Sequence, residues 1–565
     1  MTIDPRAAAA RPIRVDLPVS FPINAETNRD SGYGIRVTER GTQGLRHLFP
    51  NAESRMPNAG PSHIYLLGIG GCGMSGLARM LKGRGAVVAG SDKEASETTD
   101  QLAAEGIAVG FDQSKAWLPE RCELVIASAA IKMDNAQMME AERRGIPTML
   151  YAEALGQCMV GRTGVAIAGT HGKSTTTAML GSILVDAGLE PTTIVGATCG
   201  QLVGGCLGKS EPASKRASEQ GQSHGAGFRL GADAIPTGGL AGRPGLLLAE
   251  ACEFNRSFHN FRPTVASISS VEADHLDIYG SLDAVVQSFR EFAQLLPSAD
   301  QGGRLLIAHD GAHRREVTAG LECAVETIGY SPEADWVVSY DPTTKHVKVT
   351  HERRVVGEWQ NILPGAHNAM NAATAFTLGV WLGGDAAILA RALSQFRGVD
   401  RRMQFLGTRA VPGGHVRVFD DYGHHPTEID STLRALRESE QPEKKGGRLI
   451  CVFQPHQHSR TRHLMEEFAN SFSQADVVIV PHIYFVRDSQ EEKQKVTAGD
   501  LVDRLREKGL RAMHLYPFEA IVEHLEELCR PNDVLVVMGA GPVWQVGKAF
   551  MVISSNATTT VARTA

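Results

Sequence analysis

The stretch VAIAGTHGKSTTT, residues 165–177, constrains this chain more than any other. A short apolar run predicts a strand, a loop of small residues follows, and the next residues predict a helix that closes near Gly188. Such a strand, loop and helix directs backbone amides at an anion, with Lys173 beside the phosphates and the Ser174 hydroxyl available to Mg²⁺. The strict Walker spacing fails because Ile167 stands where a glycine is required. We predict a tighter phosphate loop, the alternative being a Gly-rich turn with a surface lysine.

Length and composition exclude several classes of protein. The 565 residues are enough for roughly three to four domains. A net charge of −6 gives no reason to expect binding to nucleic acid. Nine cysteines without a Cys-x-x-Cys pair are typical of a reduced protein rather than a disulfide framework or a zinc site. No apolar run approaches a membrane span and the N-terminus lacks a signal-peptide core, so we expect a cytoplasmic protein without membrane insertion.

A second Gly-rich loop follows the apolar run that begins at His63. It reads Gly68-Ile-Gly70-Gly-Cys-Gly73, precedes a helical pattern, and Asp92 ends the next apolar run. In a nucleotide-binding βαβ unit such glycines let the backbone approach a diphosphate, and the acid reaches a ribose hydroxyl. Alone, this unit would suggest a nicotinamide-dependent dehydrogenase. A dehydrogenase has no need of a second phosphate loop with Lys and Ser, however.

Two apolar runs of the middle region end in polar residues. The first starts at Leu246 and ends at Glu250, and the second starts at Val265 and leads to His275. Ligands gather beyond the carboxyl ends of strands in open α/β sheets, so both ends should converge on the loop around Lys173. Mg²⁺ takes oxygen ligands and keeps several waters, so one or two carboxylates suffice. The alternatives are a surface acid at Glu250 and a turn-capping histidine at His275.

A helical pattern further along carries two asparagines. Asn368 and Asn371 in the run Gly365-Ala-His-Asn-Ala-Met-Asn lie on one face, at i and i+3. An amide side chain donates and accepts hydrogen bonds at once, so it can recognise an adenine edge. The alternative is a pair of exposed or helix-capping asparagines.

Strands and helices alternate again after Phe396. One strand runs into Asp-Asp-Tyr422-Gly-His424-His-Pro-Thr-Glu, and another leads to Gln-Pro-His456-Gln-His-Ser-Arg460. Both polar clusters lie at strand ends and should face the same cleft. Repeated alternation of strands and helices predicts an α/β fold with parallel sheets covered by helices.

These motifs, in this order, resemble those of the Mur ligase family over about residues 61–550. The resemblance implies a Rossmann-like N-terminal domain that binds a UDP-sugar, a central P-loop ATP-binding domain and a Rossmann-like C-terminal domain. We predict their bounds as 61–160, 161–396 and 397–550. Polar composition predicts a flexible N-terminal extension over 1–60, a flexible insertion over 204–245 and a disordered tail over 551–565.

The resemblance also implies roles for individual residues. ATP would contact Gly169, Thr170, His171, Gly172, Lys173, Ser174, Thr175, Asn368, Asn371 and Arg402. The UDP-sugar would lie on Gly68, Gly70, Gly71, Gly73, Asp92 and Ser128, and Tyr422, His424, His456 and Arg460 would line the site of the other substrate. Magnesium would be held by Ser174, Glu250 and His275. Catalysis would depend on Lys173, His275 and Arg402, with Arg402 reaching the γ-phosphate.

The first glycine loop and Gly423 are similar to those of the alanine-adding members of the family. They imply ATP-dependent ligation of L-alanine to the lactyl carboxylate of UDP-N-acetylmuramic acid through an acyl phosphate, in peptidoglycan precursor synthesis. The alternatives are a member that adds another amino acid or a recycled peptide and, less favoured, a nicotinamide-dependent oxidoreductase. A homodimer is compatible with this interpretation. Cys252, Phe254 and Asn255 depart from the pattern Asp-Glu-Ser-Asp of many relatives, which leaves a role for Glu253 in doubt.

Overall fold

The structure, a computed structural model, describes residues 62–202 and 227–552. Three sheets of five, ten and six strands follow each other along the chain. We call the parts built around them the N-terminal, central and C-terminal units. The predicted extension over 1–60 lies outside the described residues, as does the predicted tail from 553 onwards. Residues 551 and 552 instead complete the last helix.

The N-terminal unit has a fully parallel sheet in the order β3-β2-β1-β4-β5. Its strands are β1 (His63–Leu67), β2 (Val87–Ser91), β3 (Ala108–Gly110), β4 (Leu124–Ala127) and β5 (Thr148–Leu150). Its helices are α1 (Cys72–Gly83), α2 (Glu97–Ala104), α3 (Ala136–Arg143) and α4 (Tyr151–Met159). Strands β1 and β4 are apolar and buried along almost their whole length, because helices cover both faces of a parallel sheet.

The central unit has a mixed sheet in the order β15-β14-β13-β12-β11-β10-β6-β9-β7-β8. Its strands are β6 (Thr163–Ala168), β7 (Thr192–Ile194), β8 (Phe228–Arg229), β9 (Leu246–Glu250), β10 (Val265–Ile268), β11 (Arg304–Ala308), β12 (Ala324–Gly329), β13 (Trp336–Asp341), β14 (His346–His351) and β15 (Arg354–Gln360). Strands β7, β9, β6, β10, β11, β12 and β13 are parallel. The predicted parallel sheet is thus present, and antiparallel strands β8, β14 and β15 extend it.

Helices of the central unit cover both faces of this sheet. They are α5 (Lys173–Asp186), α6 (Leu276–Tyr279), α7 (Leu282–Ala293), α8 (Arg314–Thr318), α9 (Ala366–Trp381) and α10 (Ala386–Leu393), with 3-10 turns at Phe254–Asn260 and Ala299–Gln301. The N-terminal unit packs directly on this unit, because one apolar cluster contains both Leu66 and Phe292. A Cβ added to Gly156 of α4 would lie 1.9 Å from the carbonyl oxygen of Asn260. The domain boundary at 160/161 falls inside this joint core and stays a prediction, as does 396/397.

The C-terminal unit has a sheet in the order β16-β17-β21-β18-β19-β20, parallel except for its edge strand β16. The strands are β16 (Gln404–Val411), β17 (Gly414–Asp421), β18 (Leu449–Phe453), β19 (Val477–Val480), β20 (Arg511–His514) and β21 (Val534–Met538). The helices are α11 (Pro426–Glu440), α12 (His458–His463), α13 (Met465–Asn470), α14 (Gln490–Lys495), α15 (Ala498–Glu507), α16 (Phe518–Leu528) and α17 (Trp544–Val552), with a 3-10 turn at Pro442–Lys445.

The predicted insertion over 204–245 is only partly covered by the structure. Residues 204–226 lie outside the described residues. Within residues 227–245, Phe228 and Arg229 form β8 and pair with β7, and Ile235 is buried. Flexibility of this segment stays a prediction. The side chains of Phe228 and Ile235 also pack against the apolar clusters of the N-terminal and central units. Within the described ranges, no helix combines the length and apolar character needed to cross a membrane.

Candidate active site

The phosphate loop has the strand, loop and helix that its sequence predicts. β6 ends at Ala168, α5 begins at Lys173, and the loop between them contains two glycines with positive φ, Gly169 at 127° and Gly172 at 81°. A Cβ on Gly172 would lie 2.4 Å from Oδ1 of Asn371, so a side chain here would collide with α9. Because the amides of Thr170 and His171 donate to Ser270, the compact cradle for an anion is formed mainly by the N-terminus of α5.

Lys173 is held at the mouth of this cradle by three acceptors. Its Nζ donates to the carbonyl oxygens of Gly169 and Thr170, at 2.6 and 3.0 Å, and to Oε1 of Glu253 at 3.0 Å. Burial acts to lower the pKa of Lys173, but the charges of Glu253 and its neighbours outweigh it and raise the pKa. The ammonium is therefore charged where phosphate oxygens would lie. Glu253, left in doubt by the sequence, is its direct partner.

Ser174 and Glu250 form a second polar pair beside the loop. The Ser174 hydroxyl donates to Oε2 of Glu250 at 3.0 Å, and the amide of Gly196 donates to Oε1 at 2.5 Å. Burial raises the pKa of Glu250, because its desolvation outweighs its two hydrogen bonds and the nearby charges of Arg402 and Lys173. A hydroxyl and a desolvated carboxylate in contact are suitable oxygen ligands for Mg²⁺.

His275 lies in a neighbouring cluster rather than in direct contact with Glu250. Its ligand atoms and those of Glu253 and Asp274 all lie within 4.8 Å of one another. His275 has a left-handed backbone, with φ 52°, at the start of α6, and within the described part of the chain its buried Nδ1 has no hydrogen-bond partner. The other ring nitrogen, Nε2, lies 3.6 Å from Oδ2 of Asp274. A histidine in a cluster with two carboxylates has donor atoms that can bind a cation.

Two cavities meet at the phosphate loop. The first, which we name the nucleotide cavity after its predicted occupant, measures about 230 Å³ and lies between the loop, α9 and the start of α11. The second, which we name the reaction cavity after its predicted role, measures about 390 Å³. It lies between Cys72 of the N-terminal unit, Lys173 and His275 of the central unit, and Tyr422 of the C-terminal unit. Both cavities are lined by Gly172, Ser174, Arg402 and Glu428. An anion on the loop would therefore be accessible from both sides.

Asn368 and Asn371 both line the nucleotide cavity, as their spacing on one helix face predicts. Asn371 accepts a hydrogen bond from Oγ1 of Thr176 at 3.3 Å, which fixes its oxygen against α5. The side-chain nitrogen of Asn368 donates to the carbonyl oxygen of Pro364, four residues earlier, at 2.9 Å. A cap at this end of the helix would instead accept from a backbone amide, so this bond is not a helix cap. The adenine role of Asn368 stays a prediction.

The four predicted residues of the C-terminal unit form one cluster. The Tyr422 and His424 rings are 5.4 Å apart, the His424 and His456 rings are 5.8 Å apart, and Nη1 of Arg460 lies 3.2 Å from Nδ1 of His456. Arg402 packs over the Tyr422 ring, with its Cζ 4.9 Å from the ring centre. Burial lowers the pKa of His424 to about 4, so its imidazole is neutral near pH 7.

Contacts between the central and C-terminal units involve charged residues that the sequence analysis did not single out. Arg460 pairs with Asp274 at 2.8 Å, and both side chains are buried. His171 of the phosphate loop lies 3.4 Å from Glu272 and 3.4 Å from Glu428. Glu272, Asp274 and Glu428 all belong to polar segments that follow predicted strands. Their position at strand ends is the sequence signal by which they could have been found.

The glycine loop of the N-terminal unit brings its predicted residues together. Gly68 has φ 77°, and a Cβ there would lie 3.0 Å from Cβ of Ser128. Asp92 accepts a hydrogen bond from the amide of Gly70 at 2.7 Å, so its carboxylate braces the loop. A Cβ on Gly73 would lie 2.7 Å from the Tyr151 ring. The close packing requires glycines, and the ribose contact of Asp92 stays a prediction.

Sequence profiles of one family match most of the chain. The profile described as Mur ligase family, catalytic domain, matches residues 63–163, the Mur ligase middle domain matches 167–379, and the profile described as Mur ligase, glutamate ligase domain, matches 401–541. A UDP-N-acetylmuramate–L-alanine ligase from Agathobacter rectalis is 35% identical over 497 residues, which cover 87% of this chain and 98% of the relative. The chain belongs to the Mur ligase family.

A further relative and two solved structures are similar to this chain. A UDP-N-acetylmuramate–L-alanine ligase from Caldanaerobacter subterraneus is 34% identical over 86% of this chain and 97% of its own length. The solved structure of a UDP-N-acetylmuramate-alanine ligase from Thermotoga maritima matches with a TM-score of 0.66 at 23% identity, covering 88% of this chain and 99% of that one. A murein peptide ligase from Psychrobacter arcticus matches with 0.63 at 22% identity, covering 88% and 99%. The predicted three-domain α/β fold is confirmed.

Proposed function

We propose that this Mur ligase joins L-alanine to the lactyl carboxylate of UDP-N-acetylmuramic acid at the expense of ATP. The products are UDP-N-acetylmuramoyl-L-alanine, ADP and phosphate, as in peptidoglycan precursor synthesis. Relatives named for this reaction, similar over nearly their whole length, support the substrate assignment. The predicted site residues support the reaction class through their chemistry, since they combine an anion cradle, cations and buried acids.

The meeting of the two cavities at the phosphate loop carries this proposal. ATP in the nucleotide cavity, with adenine near Asn368 and Asn371, places its γ-phosphate at the wall shared by Gly172, Ser174 and Arg402. An acid in the reaction cavity reaches that phosphate from the other side. Two separate substrates thereby meet at one phosphorus atom, which a dehydrogenase does not require.

A carboxylate is a poor electrophile, so the first step activates it. An oxygen of the lactyl carboxylate attacks the γ-phosphorus, the bond from that phosphorus to the bridging oxygen breaks, and ADP leaves. Lys173 and Arg402 offset the charge on the transferred phosphoryl group. Ser174, Glu250 and His275 are the residues that would hold magnesium, which when bound neutralises phosphate charge.

In the second step the amine of L-alanine attacks the acyl phosphate. The carbon–nitrogen bond forms, a proton leaves the amine, and the tetrahedral species expels phosphate. Tyr422 and His424 line this side of the cavity, and His456 and Arg460 pack behind His424. The neutral imidazole of His424 carries no charge that would repel the ammonium of alanine. Orienting the reactants in one closed cavity can supply on the order of 7–11 kcal/mol of barrier reduction at best.

The glycine loop of the N-terminal unit is the proposed site of the UDP portion. Gly68, Gly70, Gly71 and Gly73 would bring the backbone close to the diphosphate, with Asp92 and Ser128 beside it. These substrates and the reduced cysteines support a cytoplasmic location, since every cysteine within 62–202 and 227–552 is a free thiol. Association as a homodimer stays a prediction. Light scattering tests it, because it measures the mass of the protein in solution.

Phosphate release provides the test of this function. Purified protein is given ATP, Mg²⁺ and UDP-N-acetylmuramic acid, with each amino acid or a muramyl tripeptide added in turn. We expect phosphate release only with L-alanine or, more slowly, with the similarly small glycine and serine. Release with the tripeptide alone would favour a recycling ligase, and release with none of them would contradict the proposal. A reaction without the sugar nucleotide is the control for ATP hydrolysis that is not coupled to ligation.

A further inference from the structure

Glu428 lies where the phosphate loop, Arg402 and the amino-acid side of the cavity meet. It is the third residue of α11, its side chain is 14% exposed, and it lines both cavities. Oε1 lies 3.4 Å from Nδ1 of His171 and 3.6 Å from Nη1 of Arg402. Oε2 lies 3.3 Å from Nδ1 of His424. One carboxylate therefore faces three residues with proposed roles in two units.

Helix capping explains only part of this arrangement. Oε2 accepts hydrogen bonds from the amides of His424 and His425, at 2.9 and 3.2 Å, which closes a capping box at the start of α11. A capping glutamate needs only that oxygen. The other, Oε1, points away from the helix toward His171 and Arg402. The cap fixes the carboxylate, and the fixed carboxylate presents its second oxygen to the reaction centre.

Glu428 is ionised in this setting. Burial acts to raise its pKa, but His424, His171 and Arg402 outweigh burial and hold the pKa well below its usual value. The Arg402 separation of 3.6 Å is that of an ion pair rather than a short hydrogen bond, so the guanidinium keeps its N–H donors available. A negative charge at this distance orients Arg402 without occupying the donors that a phosphate needs.

We propose that Glu428 is a positioning residue that sets Arg402 against the phosphate loop by binding Arg402 and His171 with the same carboxylate oxygen. His171 belongs to the central unit and Glu428 to the C-terminal unit, so the contact fixes the position of one unit relative to the other. The inference rests on the proposed function. It adds the residue that aligns Arg402, the predicted contact of the γ-phosphate. Glu428 itself takes no part in bond making.

The kinetic test compares three variants of the full chain. Glu428→Gln keeps the shape of the side chain and removes its charge, Glu428→Asp keeps the charge, and Glu438→Gln removes an exposed charge from the same helix. We expect Glu428→Gln to lower kcat by up to about 100-fold, with KM for the sugar nucleotide unchanged, because misplacement of a contact costs about that much. Glu428→Asp should recover part of kcat, and Glu438→Gln should match the parent protein. An unchanged kcat in Glu428→Gln would overturn the proposal.

A double-mutant cycle on nucleotide affinity tests the contact without relying on turnover. Affinity for a non-hydrolysable ATP analogue is measured by calorimetry for Glu428→Gln, His171→Gln and both together. Groups that act through one contact give non-additive losses, so we expect the double variant to lose less than the sum. Additive losses would refute the role of Glu428. If the parent protein releases no phosphate with any substrate, the proposed function fails, while this cycle still decides the contact.

Discussion

At the scale of single residues, the pairing of Lys173 with Glu253 has the clearest consequences. The two charges lie 2.8 Å apart, and the Glu253 side chain is 4% exposed. A buried charge without its partner is costly, so each residue depends on the other for stability as well as for its place in the site. Catalysis and stability can therefore be separated by changing one or both residues.

We predict that Lys173→Ala abolishes phosphate release and lowers the free energy of unfolding by about 3 kcal/mol, because Glu253 is left buried and unpaired. Binding of UDP-N-acetylmuramic acid, followed by calorimetry, should be largely retained. The control is Lys173→Ala combined with Glu253→Ala, which should regain stability in denaturant unfolding but no activity. Loss of sugar-nucleotide binding in the single variant would mean that the loop has only a structural role.

The pH dependence of stability should report on His171. Burial acts to lower its pKa, but the carboxylates of Glu272 and Glu428 outweigh burial and raise the pKa to about 9, with the His425 ring 4.8 Å away. A histidine whose pKa is raised on folding contributes its full stabilisation below the ordinary pKa of 6.5. This contribution is lost as the pH rises through 9.

We therefore predict that His171→Gln lowers the melting temperature most near pH 6.5 and least above pH 9. Scanning calorimetry across this pH range measures the difference in melting temperature between the parent protein and the variant. Groups that titrate in the same way in both proteins do not contribute to this difference. A difference that stays constant with pH would contradict an ionised His171.

At the scale of elements, the phosphate loop depends on the fit of α5 against α9. Gly172 combines a left-handed backbone with a space too small for a Cβ, because Asn371 occupies it. A substitution there costs free energy both for the backbone conformation and for the steric collision with Asn371. Gly446 provides a comparison, since it has φ 76° but no atom within 4 Å of an added Cβ.

We predict that Gly446→Ala costs about 1–2 kcal/mol of stability, the cost of the backbone conformation alone, and leaves activity unchanged. Gly172→Ala should in addition lose ATP binding, because Asn371 or the loop must move. Calorimetric titration with an ATP analogue gives the affinity, and denaturant unfolding gives the stability. Normal ATP affinity in Gly172→Ala would show that the loop tolerates displacement of Asn371.

At the scale of the whole molecule, the three units enclose the reaction cavity only when they are together. Arg460 of the C-terminal unit and Asp274 of the central unit pair at 2.8 Å with both side chains nearly inaccessible. Glu272 also accepts a hydrogen bond from Thr427 across the same interface, at 2.6 Å. The structure thus has the C-terminal unit packed against the phosphate loop, which suits a reaction that must exclude water.

We predict that Arg460→Ala favours separation of the two units, because Asp274 is left unpaired at the interface and regains water only if the interface opens. Small-angle scattering should show a larger radius of gyration than the parent protein, with less compaction on adding ATP analogue and sugar nucleotide. Arg462→Ala, which breaks an exposed pair with Glu492 within the C-terminal unit, is the control. Identical profiles for both variants would contradict this role of Arg460.

Local patterns along the chain determined the fold class and most of the candidate site. The phosphate loop, the glycine loop and the polar strand ends are contiguous strings, and the sheet geometry that gathers strand ends is general. Lys173, Ser174, Glu250, Tyr422 and His424 belong to such strings, whereas Arg402 was named only through the resemblance to the Mur ligase family. All six line the reaction cavity. Composition alone did not identify the pairing of Phe228 in β8 or the burial of Ile235, which depend on the tertiary structure.

Partnerships between distant residues were decided only by the tertiary structure. Glu253 pairs with Lys173 across 80 positions, Asp274 pairs with Arg460 across 186, and Glu428 reaches His171 from another unit. Sequence identifies such acids as polar, but their pairing depends on how the units pack, and no local periodicity encodes that. Burial then sets their ionisation, because desolvation and a partner charge act only in the folded protein.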